Sequence, residues 1–204
     1  MDETLATITT TILLERLRSP EEQEVWEEFD SRIRPVLIRV GKQLGLSEAD
    51  AEDSAQETLA QFIRDYREGR YDRQKGRLRA WIISICRHRV MDICRRRARS
   101  RGWRGESAMV NLADENHISR IWMEEQRAIL FEKAFDRLSR EGKFSGRTIR
   151  VFEMVAVKRI SPSLIADTMR ISIAEVYRAK NRVTTRMREI AAELSDLYEA
   201  EYGS

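Results

Sequence analysis

The chain has 204 residues, 35% of them charged, with a net charge of only +3. That length allows one large or two small domains, and the two cysteines exclude a disulfide-stapled scaffold. There is no secretory signal pattern, and the apolar runs are too short to cross a bilayer, so a cytoplasmic, reducing setting is expected.

Three prolines, nine glycines and no sustained two-residue alternation predict an all-α protein. Leu13 to Leu17 is a short helical candidate, and Ser19-Pro20-Glu21-Glu22 has the form of a capped helix start. Val25, Phe29, Ile33, Leu37, Val40 and Leu44 then recur at helical spacing, with a kink or break expected at Pro35 and an end at Gly45. Ser47 caps a second helix, about Glu48 to Glu68, whose apolar positions are Ala51, Ala55, Leu59, Phe62, Ile63 and Tyr66. Gly69 to Gly76 reads as a loop. A third helix runs from about Leu78 to Arg99, with Leu78, Ile82, Ile85, Cys86, Val90 and Ile93 inward and Trp81 beside them. Cys86 and Cys94 sit about 12 Å apart along such a helix, too far to bridge or to share a metal; both read as small core residues. Periodicity lapses over 100–117, a linker able to span roughly 60 Å if extended. A second helical domain over 118–204 follows, with helices at about Ile118 to Arg140 (Ile121, Ala128, Ile129, Phe135 and Leu138 apolar) and Arg147 to Lys158.

The charges are unevenly distributed. Residues 48–68 hold seven acids against two arginines, whereas 147–188 hold ten bases against three acids. Eight arginines crowd residues 87–104, with Asp92 their one acidic neighbour. Such a run suits phosphates, by a sequence-independent and salt-sensitive attraction. The loop ahead of it (Tyr71, Arg73, Lys75, Arg77, Arg79) adds an aromatic ring on which an unpaired base can stack. The acidic second helix would face something basic. A nuclease-like metal site from Asp50, Asp53 and Glu57 lacks an accompanying His or Lys constellation, so no catalytic residue, metal or cofactor is expected.

Ser161 to Asn181 has the layout of a helix-turn-helix. Ser161 caps a short helix begun by Pro162, with Leu164, Ile165 and Met169 inward. Arg170-Ile171 makes the turn, where many such motifs place glycine, so either the turn is less tight or Arg170 takes a left-handed conformation at a cost. Ser172 and Glu175 form a capping box, and Ile173, Val176 and Val183 hold the second helix down. Ala174, Tyr177, Arg178, Lys180, Asn181 and Arg182 are left to face a major groove.

Asp-Ala-Glu-Asp-Ser-Ala-Gln-Glu-Thr-Leu (50–59) and Tyr-Asp-Arg-Gln-Lys-Gly-Arg-Leu-Arg-Ala-Trp-Ile-Ile-Ser-Ile-Cys-Arg-His-Arg-Val-Met-Asp (71–92) resemble region two of bacterial sigma factors, closest to the small extracytoplasmic-function (ECF) branch of the sigma-70 family. Leu13-Leu-Glu-Arg-Leu-Arg18 and Trp26-Glu-Glu-Phe29 look like the start of such proteins, and the helix-turn-helix resembles region four. The resemblance implies a non-enzymatic promoter-specificity subunit, with region two over 1–99 and region four over 118–204. It implies that Asp50, Glu52, Asp53, Gln56 and Glu57 dock on the clamp helices of the largest subunit of core RNA polymerase. Tyr71, Arg73, Lys75, Arg77, Arg79, Arg87, His88, Arg89, Asp92, Arg95 and Arg96 would bind and open the −10 element; the family often has asparagine at the position of His88. Ser172, Ala174, Glu175, Tyr177, Arg178, Lys180, Asn181 and Arg182 would read the −35 element. Implied partners are core polymerase, promoter DNA and the anti-sigma protein that the family commonly uses. The alternative is a stand-alone helix-turn-helix regulator, which would usually need dimerisation and a sensing domain.

Overall fold

A computed structural model describes residues 16–17, 23–72, 78–101 and 114–199. Among them the chain is all-helical, without strands. The helices are α1 (Gln23–Gln43), α2 (Glu48–Arg67), α3 (Leu78–Arg101), α4 (Glu115–Glu141), α5 (Gly146–Phe152), α6 (Pro162–Met169) and α7 (Ile173–Glu199), with a π-helical segment, Glu153–Val157, continuing α5. Two compact units emerge, one comprising the described residues up to Ile129 together with 197–199, the other Leu130–Asp196. The helix start at Ser19-Pro20 and the loop residues Arg73, Lys75 and Arg77 lie outside the described residues, as does most of the 100–117 stretch.

In the first unit, α1 buries Val25, Phe29, Val36, Leu37 and Val40. The break expected at Pro35 is absent: the proline lies inside one helix. An interior proline costs about 3 kcal/mol, whereas burying an aliphatic side chain contributes roughly 1.5–3 kcal/mol. Val36, Leu37 and Val40 together outweigh the proline. Arg34 also spans the site, donating from Nε and Nη2 to both Asp30 oxygens at 2.7 and 2.6 Å.

Gly45, at φ 87°, ends α1. Its amide donates to Lys42 and that of Leu46 to Gly41, each at 3.0 Å, so the last carbonyls of the helix are satisfied locally. Ser47 caps α2, its Oγ accepting from the Asp50 amide at 3.3 Å. Close approach at the α1–α2 crossing needs small residues. A Cβ at Gly41 would stand 3.2 Å from that of Ala51.

The core of this unit is aromatic. Phe62, fully buried, stacks on Phe29 with 4.9 Å between centroids and meets the edge of Trp81 at 5.5 Å. Leu78, Ile82, Cys86, Val90 and Ile93 of α3 are buried as their spacing predicts; Ile83 joins them, while Ile85 is half-buried. Burial pushes the Cys86 thiol up to about 12, against a smaller opposing hydrogen bond with Thr58.

The division between units departs from the sequence expectation. Ile118, Ile121, Trp122 and Ile129 of α4 pack into the first core rather than opening a second domain at residue 118. Polar contacts reinforce this: Gln43 donates to Glu125 at 3.0 Å, and Arg87 pairs with Glu115 at 3.3 Å. An apolar face cannot stay in water when a neighbouring core can take it, and that preference is invisible in the periodicity of α4 itself.

In the second unit, Ala134 and Leu138 of α4 pack with Phe152, Val183, Met187 and Ile190. A smaller cluster joins Val151, Ile165, Ala166 and Val176. Arg186 of α7 binds Glu141 of α4 through two hydrogen bonds, 2.9 and 2.5 Å. It holds the Glu141 carboxyl at about 2 and has its own proton affinity raised, chiefly by Glu141.

Candidate nucleic-acid interface

The five residues of α2 expected to meet polymerase, four acids and Gln56, divide into two groups. Glu52, Asp53 and Gln56 are exposed on successive turns. Asp50 and Glu57 instead reach across to α3. Asp50 pairs with Arg97 and accepts from the Ser47 hydroxyl at 2.6 Å; Arg97 also donates to Ser47 at 2.9 Å. Glu57 lies 3.7 Å from Arg89, which donates to Gln61 at 3.1 Å. The sequence puts these acids on one helix. Only the packing of α2 against α3 shows which of them are already shared with arginines.

Tyr71 does not extend as a free stacking platform. It stacks on Trp81 (5.3 Å between centroids, 15° between planes), and Tyr66 closes the group at 6.0 Å from Tyr71. Tyr71 and Trp81 are both half-buried, so the pair keeps an exposed edge beside the start of α3. Arg79 is also half-buried there.

Along α3, one turn follows another with different roles. Arg87 leans on Glu115 and Arg89 on Glu57. His88 is exposed, its Nδ1 2.7 Å from the Ser84 carbonyl. A carbonyl only accepts, so Nδ1 carries a proton in this contact. Asp92 and Arg95 pair at 3.6 Å, and Arg96 is exposed. Exposed ion pairs of this kind contribute about 0–1 kcal/mol, so an incoming phosphate or a basic protein surface can replace them at small cost. Arg97, which sequence reasoning did not select as a site residue, is the one that ties this helix to Asp50.

In the second unit, Ser161 caps α6, accepting from the Leu164 amide at 3.4 Å, with Pro162 in the first turn. Arg170 ends α6 in the left-handed conformation (φ 52°, ψ 55°), so of the two outcomes open at this turn it is the left-handed one that the chain adopts. The Ile171 amide donates to Ala166 at 3.0 Å, and Arg147 donates to the Met169 carbonyl at 2.6 Å, so two contacts hold the strained turn. Ser172 and Glu175 then lock together. The Ser172 amide and hydroxyl both donate to Glu175 Oε2 at 2.8 Å, and the Glu175 amide donates to Ser172 Oγ at 3.2 Å. These bonds, the backbone one first, lower the Glu175 carboxyl from its ordinary value.

Two inward assignments are corrected. Leu164 is 57% and Ile173 48% exposed. On α6 the buried side is taken by Ile165 and Ala166, with Met169 one turn on; Leu164 is turned about 100° away from Ile165. Ile173 lies one turn before Val176, beyond the edge of the small cluster that Val176 joins. Val176 and Val183 are buried as expected. Ala174, Tyr177, Arg178, Asn181 and Arg182 are exposed and Lys180 half-buried. Arg182 lies over the Phe144 ring, 5.5 Å from its centroid. Ser172 and Glu175, expected among the groove-facing residues, are engaged with each other.

Among the described residues no group of three or more His, Cys, Asp or Glu side chains is placed to hold a metal ion. No helix of the described residues is long and apolar enough to cross a membrane.

Residues 30–100 match the family of sigma-70 region 2. The matched segment runs from within α1 almost to the end of α3, so it takes in both the acidic face of α2 and the arginines of α3. No curated protein and no solved structure matches the chain. The match supports a sigma-70 region 2 within residues 30–100, a segment associated with RNA polymerase binding and promoter recognition.

Proposed function

We propose that this chain is an ECF-type sigma factor, a cytoplasmic subunit that binds core RNA polymerase and directs it to promoters. The observation that carries the proposal is the coincidence of the sigma-70 region 2 match, residues 30–100, with a three-helix body that bears an acidic face on α2 and an arginine-rich face on α3. Glu52, Asp53 and Gln56, joined by Asp50 and Glu57, dock on the clamp helices of the largest polymerase subunit. Tyr71 to Arg79 and the α3 residues Arg87, His88, Arg89, Asp92, Arg95 and Arg96 bind the −10 element and hold one unpaired strand. The helix-turn-helix of α6 and α7 reads the −35 element.

The chemistry is binding alone. Opening DNA costs roughly 1–2 kcal/mol per base-pair step, and trapping the released strand against aromatic and cationic side chains offsets part of that. Two readers on one chain gain effective concentration only when a large partner fixes their spacing, so the free chain binds DNA weakly. Bound polymerase also competes for Asp50 and Glu57, which otherwise share Arg97 and Arg89.

The test is reconstitution of the full chain with core polymerase, followed by transcript start mapping on a genomic template. The expected result is a stable complex that initiates at a discrete set of sites, with Asp53→Lys weakening complex formation. Failure of the chain to bind core polymerase at low salt refutes the proposal. Tight, sequence-specific DNA binding by the isolated chain would favour a stand-alone regulator instead.

A further inference from the structure

Ile173 opens α7 and Tyr177 follows one turn later, so the two side chains share a face of the helix. They are 48% and 49% exposed. Ala174, also exposed, lies between them in sequence, while Arg178, Asn181 and Arg182 continue the exposed surface. Leaving an isoleucine half in water forgoes burial free energy, and nothing in the cluster beneath Val176 requires it there. The surroundings are cationic: residues 147–188 hold ten bases against three acids. One of those acids, Glu175, is exposed but is engaged by the Ser172 amide and hydroxyl. An apolar spot in a cationic surface fits a polyanion that itself carries an apolar group. In a duplex major groove that group is the thymine 5-methyl.

We propose that Ile173 and Tyr177 form an apolar seat for a thymine 5-methyl group, so that the element read by α7 carries thymine at the base pair facing them. This rests on the reading of α6 and α7 as a DNA reader and adds a base preference to it. Specificity there comes from contact rather than from hydrogen bonding, because Ser172 and Glu175, the polar residues at the start of α7, are bonded to each other. Arg178 and Arg182 supply the phosphate contacts that position the helix.

The experiment uses holoenzyme assembled from the full chain and core polymerase. Duplexes randomised upstream of a fixed −10 element are selected for binding and sequenced. Native holoenzyme enriches thymine at one position or more. Replacing that thymine by deoxyuridine, which lacks only the methyl, weakens competition by about fourfold, the factor for one methyl removed from water. Holoenzyme with Ile173→Ala loses both the enrichment and the thymine–deoxyuridine difference, and Ile173→Val keeps both. Because Ile173 is exposed, these variants fold as the native chain does. Enrichment of other bases with no thymine–deoxyuridine difference overturns the inference and leaves α7 as a DNA reader. Holoenzyme that forms but enriches no upstream sequence removes the DNA-reading role and the inference with it.

Discussion

Phe62 is the side chain on which three helices of the first unit converge. It is fully buried on α2, stacks on Phe29 of α1 at 4.9 Å, touches the edge of Trp81 of α3 at 5.5 Å, and lies 5.6 Å from Tyr66. Truncation to alanine removes a whole buried ring from a close-packed interior, a change that costs about 3–5 kcal/mol. With a urea dependence of about 2 kcal/mol per molar, a loss of about 4 kcal/mol lowers the unfolding midpoint by about 2 M. Tryptophan fluorescence is the right assay, because all four tryptophans, at 26, 81, 103 and 122, precede residue 130 and none lies in the second unit. Phe62→Leu keeps most of the volume and is expected to cost only about 1 kcal/mol. The same truncation should weaken polymerase binding, since the acids of α2 are aimed by this core. If Phe62→Ala shifts the fluorescence midpoint no more than Phe62→Leu does, the ring is not the hub and the packing argument fails.

Three further outcomes are expected. The Glu141 carboxyl sits at about 2 in the folded chain against an ordinary 4.5, so its pairing with Arg186 stabilises the second unit fully above pH 4.5 and is lost as pH falls from there through about 2; in Glu141→Gln, the acid-unfolding profile of that unit followed by far-UV circular dichroism should be flatter across this window and its stability at neutral pH lower. Arg170→Gly relieves a left-handed arginine and should raise thermal stability by up to about 1 kcal/mol, while DNA affinity of the holoenzyme falls if the guanidinium contacts phosphate; a loss of stability would show that the turn needs the arginine side chain. Cys86, its thiol pushed up to about 12 by burial, should resist a thiol reagent at pH 8 until the chain unfolds, with Cys94, raised less and half-buried, labelled first; mass spectrometry of a labelling time course decides the order.

Much of the architecture was legible in the chain because it is local. Ser47, Ser161 and the Ser172–Glu175 pair cap helices with atoms three residues away, and Gly45 ends α1 through bonds that reach back no more than five. The chain marks Arg170 as the residue at the turn where a glycine is missing, though not which backbone conformation it takes. The apolar spacing of α2 and α3 named nearly all their buried apolar residues, though not the buried Ser54, Thr58 and Asp65. Such features depend on neighbours along the chain, which a sequence displays directly.

Tertiary structure decided the rest, because it depends on what each face meets. Pro35 stays inside a helix since the core it helps enclose outweighs its missing hydrogen bond. Ile118, Ile121 and Trp122 belong to the first unit because that core has room for them. Leu164 and Ile173 are exposed because the cluster beneath α6 and α7 is small. Asp50 and Glu57 look identical to Glu52 and Asp53 in the chain, and only the helix lying opposite separates acids already held by arginines from acids offered outward. By itself, the sequence determined the caps and stops that rest on near neighbours and which charges each helix carries; the packing of one helix against another determined which of those charges and which apolar side chains remain for a partner, since burial is a property of pairs of surfaces.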